Sequence, residues 1–138
     1  MSIVQTQTTS FKKELYQGIH DLSTDTIKIA LYTGNADLNE DTTVYSATNE
    51  VSGTGYTAGG ETMTGVAISS SGYVAYANWN NVSWTAALTA RCALIYNASK
   101  GNKSVAVLDF GSDKTSTTTF TITMPANTST TALIRSSN

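Results

Sequence analysis

Short apolar runs that alternate with polar residues fill most of this chain after residue 60, and they constrain its fold more than any other feature. In one run, apolar side chains at positions 120, 122 and 124 alternate with threonines. Alternation with a period of two over this length is typical of a half-buried β-strand. With residues 26–32, these runs predict about eight strands, at 61–69, 72–78, 81–85, 89–96, 104–110, 117–124 and 131–135. The pattern predicts a mainly β chain that forms an antiparallel β-sandwich, jelly-roll-like in arrangement.

The turns and the strand faces follow from the same pattern. Polar residues 97–103 join two apolar runs and predict a hairpin, and residues 111–114 predict a second turn. Alternation places Val105 and Val107 on the face opposite to Ala106, Leu108 and Phe110.

The N-terminal part of the chain has a different pattern. Residues 1–10 are polar and are predicted to form an extended arm. Ser10 is the predicted N-cap of one short helix over about residues 11–22. An apolar stripe supports this helix, formed by Phe11, Leu15, Ile19 and Leu22. Residues 11–138 are then expected to form a single β-sandwich domain.

A long loop at about residues 35–60 interrupts the strand pattern. Its last part, residues 52–60, contains four glycines, and its first part is acidic and rich in turn-forming residues. A structureless stretch this long inside a compact domain is usually functional. We therefore expect the loop to lie at a surface that contacts a partner.

Composition supports the strand interpretation and excludes several classes of protein. The chain has 24 threonines and 16 serines, whereas only 13% of its residues are charged, against about 25% in an average domain. Threonine is β-branched and suits the solvent side of a sheet. Eight basic residues are too few for direct nucleic-acid binding. No apolar run approaches the roughly 20 residues of a membrane span, so we expect no membrane partner.

No constellation of residues indicates catalysis or a cofactor. One cysteine excludes a disulfide framework and an iron–sulfur cluster. The only histidine, His20, lies beside Asp21, but no nucleophile elbow accompanies the pair. The acidic stretch 37–41 fails as a calcium loop because Thr42 and Thr48 occupy the positions that need Gly and Glu. We interpret the chain as not an enzyme, with no catalytic, cofactor-binding or metal-binding residues and no cofactor.

Four aromatic residues lie within twelve positions, and they have two interpretations. Such a cluster can fill a core or bind a partner protein, and it can also stack on sugars. Core or interface is the favoured interpretation, with carbohydrate binding as the alternative, for Tyr73, Tyr76, Trp79 and Trp84.

Three segments resemble in order a family of small structural proteins of tailed double-stranded DNA bacteriophages: residues 11–22 with 25–33, residues 48–60, and residues 93–100 with 106–111. Some members of this family are capsid cement, or decoration, proteins. The resemblance covers roughly residues 10–135 and includes no catalytic motif. It implies a β-sandwich, jelly-roll in type, on the outer surface of a capsid shell. It also implies the major capsid protein as a partner, and a second or third copy of this chain at capsid symmetry axes.

The leading hypothesis is therefore a non-enzymatic virion structural protein that binds the outside of the capsid shell and stabilises it. It would be made in the cytoplasm of the bacterial host and act as a homodimer or homotrimer. One alternative is a phage tail or tail-adaptor protein, and a more remote one is a carbohydrate-binding module. The contacts are expected in the arm, the long loop and the tail after Met124. The candidate residues are Ile3, Val4, Tyr45, Tyr56, Trp79, Trp84, Leu133 and Ile134.

Overall fold

The computed structural model describes residues 2–137, and strands dominate it. Ten strands are present where about eight were predicted, together with one α-helix. The helix α1 is Thr9–Tyr16. The strands are β1 Thr6–Gln7, β2 Ile27–Tyr32, β3 Glu61–Thr62, β4 Ala67–Ser71, β5 Val74–Asn78, β6 Val82–Trp84, β7 Thr89–Asn97, β8 Lys103–Thr115, β9 Phe120–Ile122 and β10 Ile134–Ser136.

The strands form three antiparallel sheets. The largest has five strands in the order β1-β8-β7-β2-β3, and the others are β10-β5-β4 and β6-β9. The chain is therefore mainly β and sandwich-like, as predicted. Its three sheets contain five, three and two strands, whereas an eight-stranded jelly roll has two sheets of four strands each.

The main core contains side chains from the five-stranded sheet and from the two smaller sheets. Ile29 and Ile95 come from the large sheet, and Trp84 and Phe120 come from β6 and β9. The rings of Trp84 and Phe120 meet edge to face, with centroids 6.2 Å apart. Phe11 of the helix is fully buried in the same core.

A second, smaller core lies on the opposite face of the large sheet. Tyr32, Leu94 and Val107 point into it, and Leu38 and Tyr45 of the long loop cover them. Both faces of the large sheet are thus covered by protein. This explains why β7 is buried almost continuously instead of alternating.

A bulge in β8 corrects the predicted strand faces. Ile95 pairs with Ala106 but Tyr96 pairs with Ser104, so Val105 is the extra residue. A bulge of this kind changes the alternation of side chains on one strand. Val105 therefore joins Ala106 in the main core, and only Val107 faces the second core. The turn predicted at 111–114 also lies within β8.

The helix begins and ends earlier than predicted. Thr8, and not Ser10, is the N-cap, because its hydroxyl accepts a hydrogen bond from the amide of Phe11 at 3.3 Å. The helix ends at Tyr16, and Gly18 follows with a φ of 70°. A left-handed residue ends a helix, and glycine adopts that conformation most easily.

Neither the arm nor the long loop projects into solvent as a free segment. Ile3 is bridged to Leu38, and residues 6–7 pair with β8 as β1; Met1 lies outside the described residues. Residues 9 and 10, predicted in the arm, belong to the helix. The loop at 35–60 has no helix or extended strand among its residues, all of which are described. It nevertheless packs inward through Ala36, Leu38, Val51 and Tyr56.

Candidate partner-binding surfaces

A groove opens between β8 and β9, with a volume of about 750 Å³. Four partly buried apolar side chains that pack on the main core line it: Leu108, Phe110, Met124 and Leu133. Exposed threonines at 115, 119, 121 and 123 form its rim. We call this feature the β8–β9 groove. Its size and its apolar lining with hydroxyl groups at the rim are typical of a binding site.

The wall of the groove along β8 is an incompletely paired strand edge. β1 pairs with β8 only at Val107 and Ala106. Beyond that point the side chain of Gln5 replaces a strand, because its Oε1 accepts a hydrogen bond from the amide of Asp109 at 3.0 Å. β9 is the edge of its two-stranded sheet. An extended segment in the groove would therefore meet backbone groups as well as apolar side chains.

Hydrogen bonds hold the arm and the C-terminal tail beside the groove. The amide of Met124 donates to Asn81 Oδ1 at 2.7 Å, and Asn78 donates to the carbonyl of Pro125 at 2.6 Å. Gln5 of the arm and Leu133 of the tail both line the groove. Outside its lining, Gln7 Nε2 donates to the carbonyl of Arg135 at 2.9 Å. Two of the three segments predicted to contact a partner, the arm and the tail, thus converge here.

Four of the predicted contact residues lie in the core, which corrects their assignment to a surface. Tyr56, Trp79, Trp84 and Ile134 are all buried in the main cluster, and Trp84 is only 2% exposed. For Trp84 the signal of burial was present in the sequence. Residues 82–90 alternate strictly, and the even positions, including Trp84, are the buried ones. A period of two thus distinguishes the core aromatic residue from an exposed one.

The other four predicted contact residues are at least partly accessible. Ile3 and Tyr45 are half-buried and pack on the second core. Val4 is exposed. Leu133 lines the β8–β9 groove. Of these four residues, Leu133 is therefore the one that lines the β8–β9 groove.

The aromatic cluster is divided between core and surface. Trp79 and Trp84 are buried, Tyr76 is half-buried, and Tyr73 is 90% exposed. The two tryptophans, which are the strongest candidates for stacking on sugars, are thus not accessible. A single exposed ring at Tyr73 forms no stacking platform.

The hairpin of β4 and β5 is exposed and uncharged. No Asp, Glu, Lys or Arg occurs between Thr62 and Ala90. Ile68 is 55% exposed and Tyr73 is 90% exposed. A two-residue turn joins the strands, with Gly72 at a φ of 59°. The sequence pattern predicts strands here but not the exposure of their side chains. That exposure depends on how far the hairpin extends past the core.

A cluster of tyrosines surrounds the carboxylate of Glu50 and holds the Gly-rich part of the loop. Glu50 accepts hydrogen bonds from the hydroxyls of Tyr45 and Tyr56, at 2.6 and 2.5 Å, and from the amide of Gly59 at 2.8 Å. Tyr96 donates to the carbonyl of Gly59 at 2.6 Å. Burial, assisted by the Glu50 charge, raises the pKa of Tyr96 to about 12 and raises the pKa values of Tyr45 and Tyr56 as well. The hydroxyls stay protonated and act as donors, so the cluster is structural.

His20 also has a structural environment. Its Nε2 lies 2.9 Å from Glu14 Oε1, and its Nδ1 lies 3.0 Å from the side-chain amide of Asn97. The side-chain nitrogen of Asn97 is a hydrogen-bond donor, so Nδ1 of His20 accepts. The ring proton is therefore assigned to Nε2, which donates a hydrogen bond to Glu14 Oε1. Both ring nitrogens are therefore occupied, as expected for a structural histidine.

The acidic stretch 37–41 is a polar turn in which Asn39 donates to Asp37 Oδ1 and accepts from the amide of Asp41. Within residues 2–137, no group of three His, Cys, Asp or Glu side chains is arranged to hold a metal ion. In the same part of the chain, no helix is long and apolar enough to cross a membrane.

Comparison with protein-family models, with curated proteins and with solved structures finds no match to this chain. The function of this chain is therefore inferred from its fold, its surfaces and the resemblance of its three segments.

Proposed function

We propose that this chain is a non-enzymatic virion structural protein of the capsid cement type. It binds the outside of the major capsid shell of a tailed bacteriophage and stabilises the shell. The observation that carries the proposal is the β8–β9 groove, an apolar surface lined by Gln5 of the arm and by Leu133 of the C-terminal tail. The resemblance of the same three segments, within residues 11–33, 48–60 and 93–111, to phage structural proteins supports the major capsid protein as the partner.

The surface chemistry supports a protein partner. Binding removes water from the contact, and charges are costly to desolvate unless they are paired. Hydroxyl groups and small apolar side chains lower that cost, and interface centres are depleted in charge. The groove has Leu108, Phe110 and Leu133 on its walls and threonines at its rim. Lys114 is the only charged side chain that lines it within the described residues.

The groove suits an extended segment of the capsid protein. Its β8 wall has the side chain of Gln5 in the position of a neighbouring strand. A partner strand that displaces this side chain would accept a hydrogen bond from the amide of Asp109. It would also bury its own apolar residues against Phe110. Many such contacts, each modest, add up over the copies of a shell.

The long loop has a smaller role in this proposal than the sequence suggested. Its apolar side chains face the second core, where they cover the large sheet. Its exposed Val44 lies away from the groove residues, next to Lys103. We therefore place the shell contact at the groove and use Val44 as a control position.

Binding to empty shells tests the proposal. Purified chain is added to shells that lack it, and the bound copies and the temperature of shell disruption are measured. We expect binding at hundreds of copies and a higher disruption temperature. If the wild-type chain binds only tails, or binds neither shells nor tails, the proposed function is wrong.

Matched variants then locate the contact. Leu133→Glu places a charge in the groove, and Thr119→Trp fills the groove from its exposed rim. Each should weaken shell binding about tenfold or more, as for a residue at an interface centre. Val44→Glu adds the same charge at an exposed site in the long loop and should bind like the wild type. Equal binding by all three variants would show that the contact lies elsewhere.

A further inference from the structure

The outer edge of β4 is an open strand edge. β4 is the last strand of the sheet β10-β5-β4, and among residues 2–137 no strand pairs with its other side. All five of its residues, from Ala67 to Ser71, are exposed. An edge strand offers a row of free backbone N–H and C=O groups to any strand that can approach.

The usual protections of such an edge are missing from β4. Natural edges carry charged side chains, proline or a bulge. No charge occurs from Thr62 to Ala90, and the only proline is Pro125. The pairing of β4 with β5 runs from Ala67–Asn78 to Ser71–Val74 without a register shift. The edge is therefore regular and free of charge repulsion.

The turn of the hairpin determines which backbone groups face outward. Gly72 and Tyr73 form a two-residue turn, so Ser71 and Val74 are a hydrogen-bonded pair. Every second residue of β4 then bonds to β5. The N–H and C=O groups of Ile68 and Ser70 are the ones that point away from β5.

We propose that β4 pairs antiparallel with β4 of a second copy of this chain, about a two-fold axis at Ser69. Ile68 of each copy then lies opposite Ser70 of the other, and these residues exchange backbone hydrogen bonds. Ser69 faces Ser69 at a non-hydrogen-bonded position, where Cα atoms lie about 4.5 Å apart. The two three-stranded sheets become one sheet of six strands.

Self-complementarity identifies a second copy as the partner. Like charges opposite each other destabilise a strand pair, and this edge has none. In this register Ala67 lies opposite Ser71 and Ile68 lies opposite Ser70 of the other copy, so no charged or aromatic side chain opposes another along β4. The strand β4 thus fits itself over its whole length.

This inference does not depend on binding to a capsid shell, and the purified chain is enough to test it. We expect sedimentation to give twice the 14.6 kDa of the chain. Ser69→Lys and Ser69→Asp each place like charges across the axis and should raise the dissociation constant about fivefold or more. Mixed in equal amounts, the two variants should form a heterodimer, which a folding defect would not allow.

The control is Ala75→Lys, which adds an exposed charge to the same hairpin but on the central strand β5. It should dimerise like the wild type. Equal loss of dimer in Ser69→Lys and Ala75→Lys, or a wild-type monomer at high concentration, would overturn the proposal.

Cysteine substitution checks the register. Ser69→Cys should form an intermolecular disulfide on mild oxidation, because the two positions meet at the axis within the range of Cα separations that a disulfide spans. Ser71→Cys should not, since Ser71 lies opposite Ala67. Cys92 is buried and does not interfere. Efficient cross-linking of Ser71→Cys without cross-linking of Ser69→Cys would show that the register is wrong.

Discussion

The hydroxyl of Tyr56 donates a hydrogen bond of 2.5 Å to the carboxylate of Glu50. The same hydroxyl accepts a hydrogen bond from the backbone amide of Leu31 in β2, at 2.9 Å. The two contacts connect Glu50, which precedes the Gly-rich segment, the middle of that segment and the large sheet. A loop that the sequence marks as irregular is therefore fixed to the sandwich by one side chain and its partner.

Removal of the Glu50 carboxylate should destabilise the chain and release this loop. Glu50→Ala leaves the hydroxyls of Tyr45 and Tyr56 and the amide of Gly59 without their acceptor. Loss of partners for buried donors costs about 1–3 kcal/mol. Urea unfolding should show this decrease in the free energy of unfolding, and the Gly59 amide should exchange faster with deuterium. Glu40→Ala, an exposed change in the same loop, should leave both measurements unchanged.

Gly60 is expected to be the least replaceable glycine of the loop. Its φ is +80°, and a Cβ there would overlap the carbonyl of Ile29 in β2. Backbone strain alone costs about 1–3 kcal/mol. Because the overlap with Ile29 adds to this strain, Gly60→Ala should lower the free energy of unfolding by roughly 3 kcal/mol or more. Gly18 has a φ of +70° with open space around it, so Gly18→Ala isolates the strain and should cost only about 1 kcal/mol. Equal losses of thermal stability in the two variants would contradict the close approach to Ile29.

Asp25 should make the stability of the chain depend on acid pH. Burial alone would raise the pKa of Asp25, but hydrogen bonds from Lys100 and Asn97 outweigh burial and lower it from 3.8 to about 2. Because the pKa of Asp25 is lower in the folded state, its ionised carboxylate stabilises the fold above pH 3.8. This stabilisation is lost as the pH falls through about 2. Asp25→Asn should lower stability at pH 7 and flatten the acid side of the profile. Asp41→Asn, at an exposed position, should preserve the wild-type profile.

Cys92 should be unreactive in the folded chain. It is fully buried in β7, and burial raises the pKa of its thiol to about 11. The thiolate is the reactive form, so a disulfide reagent at pH 8 should label Cys92 only after unfolding. Rapid labelling under native conditions would mean that β7 is not the covered strand described here.

Local patterns predicted much of the fold. The alternation at 26–32 located β2 to within one residue, and the polar residues 97–103 predicted the β7–β8 hairpin. The threonines at 115–123 lie on the exposed side, as the composition suggested. These features depend on neighbours in sequence, so periodicity and turn chemistry are enough to find them.

Contacts between distant segments were not predictable in the same way. The burial of Trp79, the covered second face of the large sheet and the β8–β9 groove each depend on segments far apart in sequence. The bulge moves the side chain of Val105 to the main core without a signal such as glycine in the sequence. Ser10 was predicted as the N-cap, whereas Thr8 has the geometry to cap the helix and also lies 2.9 Å from the hydroxyl of Ser104. The backbone amide of Thr8 also donates to the carbonyl of Val105 in β8 at 3.0 Å, so a strand far along the chain fixes Thr8 at the N-cap.

The copy number of this chain in purified virions, relative to the major capsid protein, is the most direct test of the proposed function. It can be measured by quantitative mass spectrometry of intact particles with isotope-labelled peptides of both proteins. A cement protein on the outer shell should be present at hundreds of copies per particle, in a fixed ratio to the capsid protein. A single ring of copies that purifies with tails, or no copies in virions, would contradict the account.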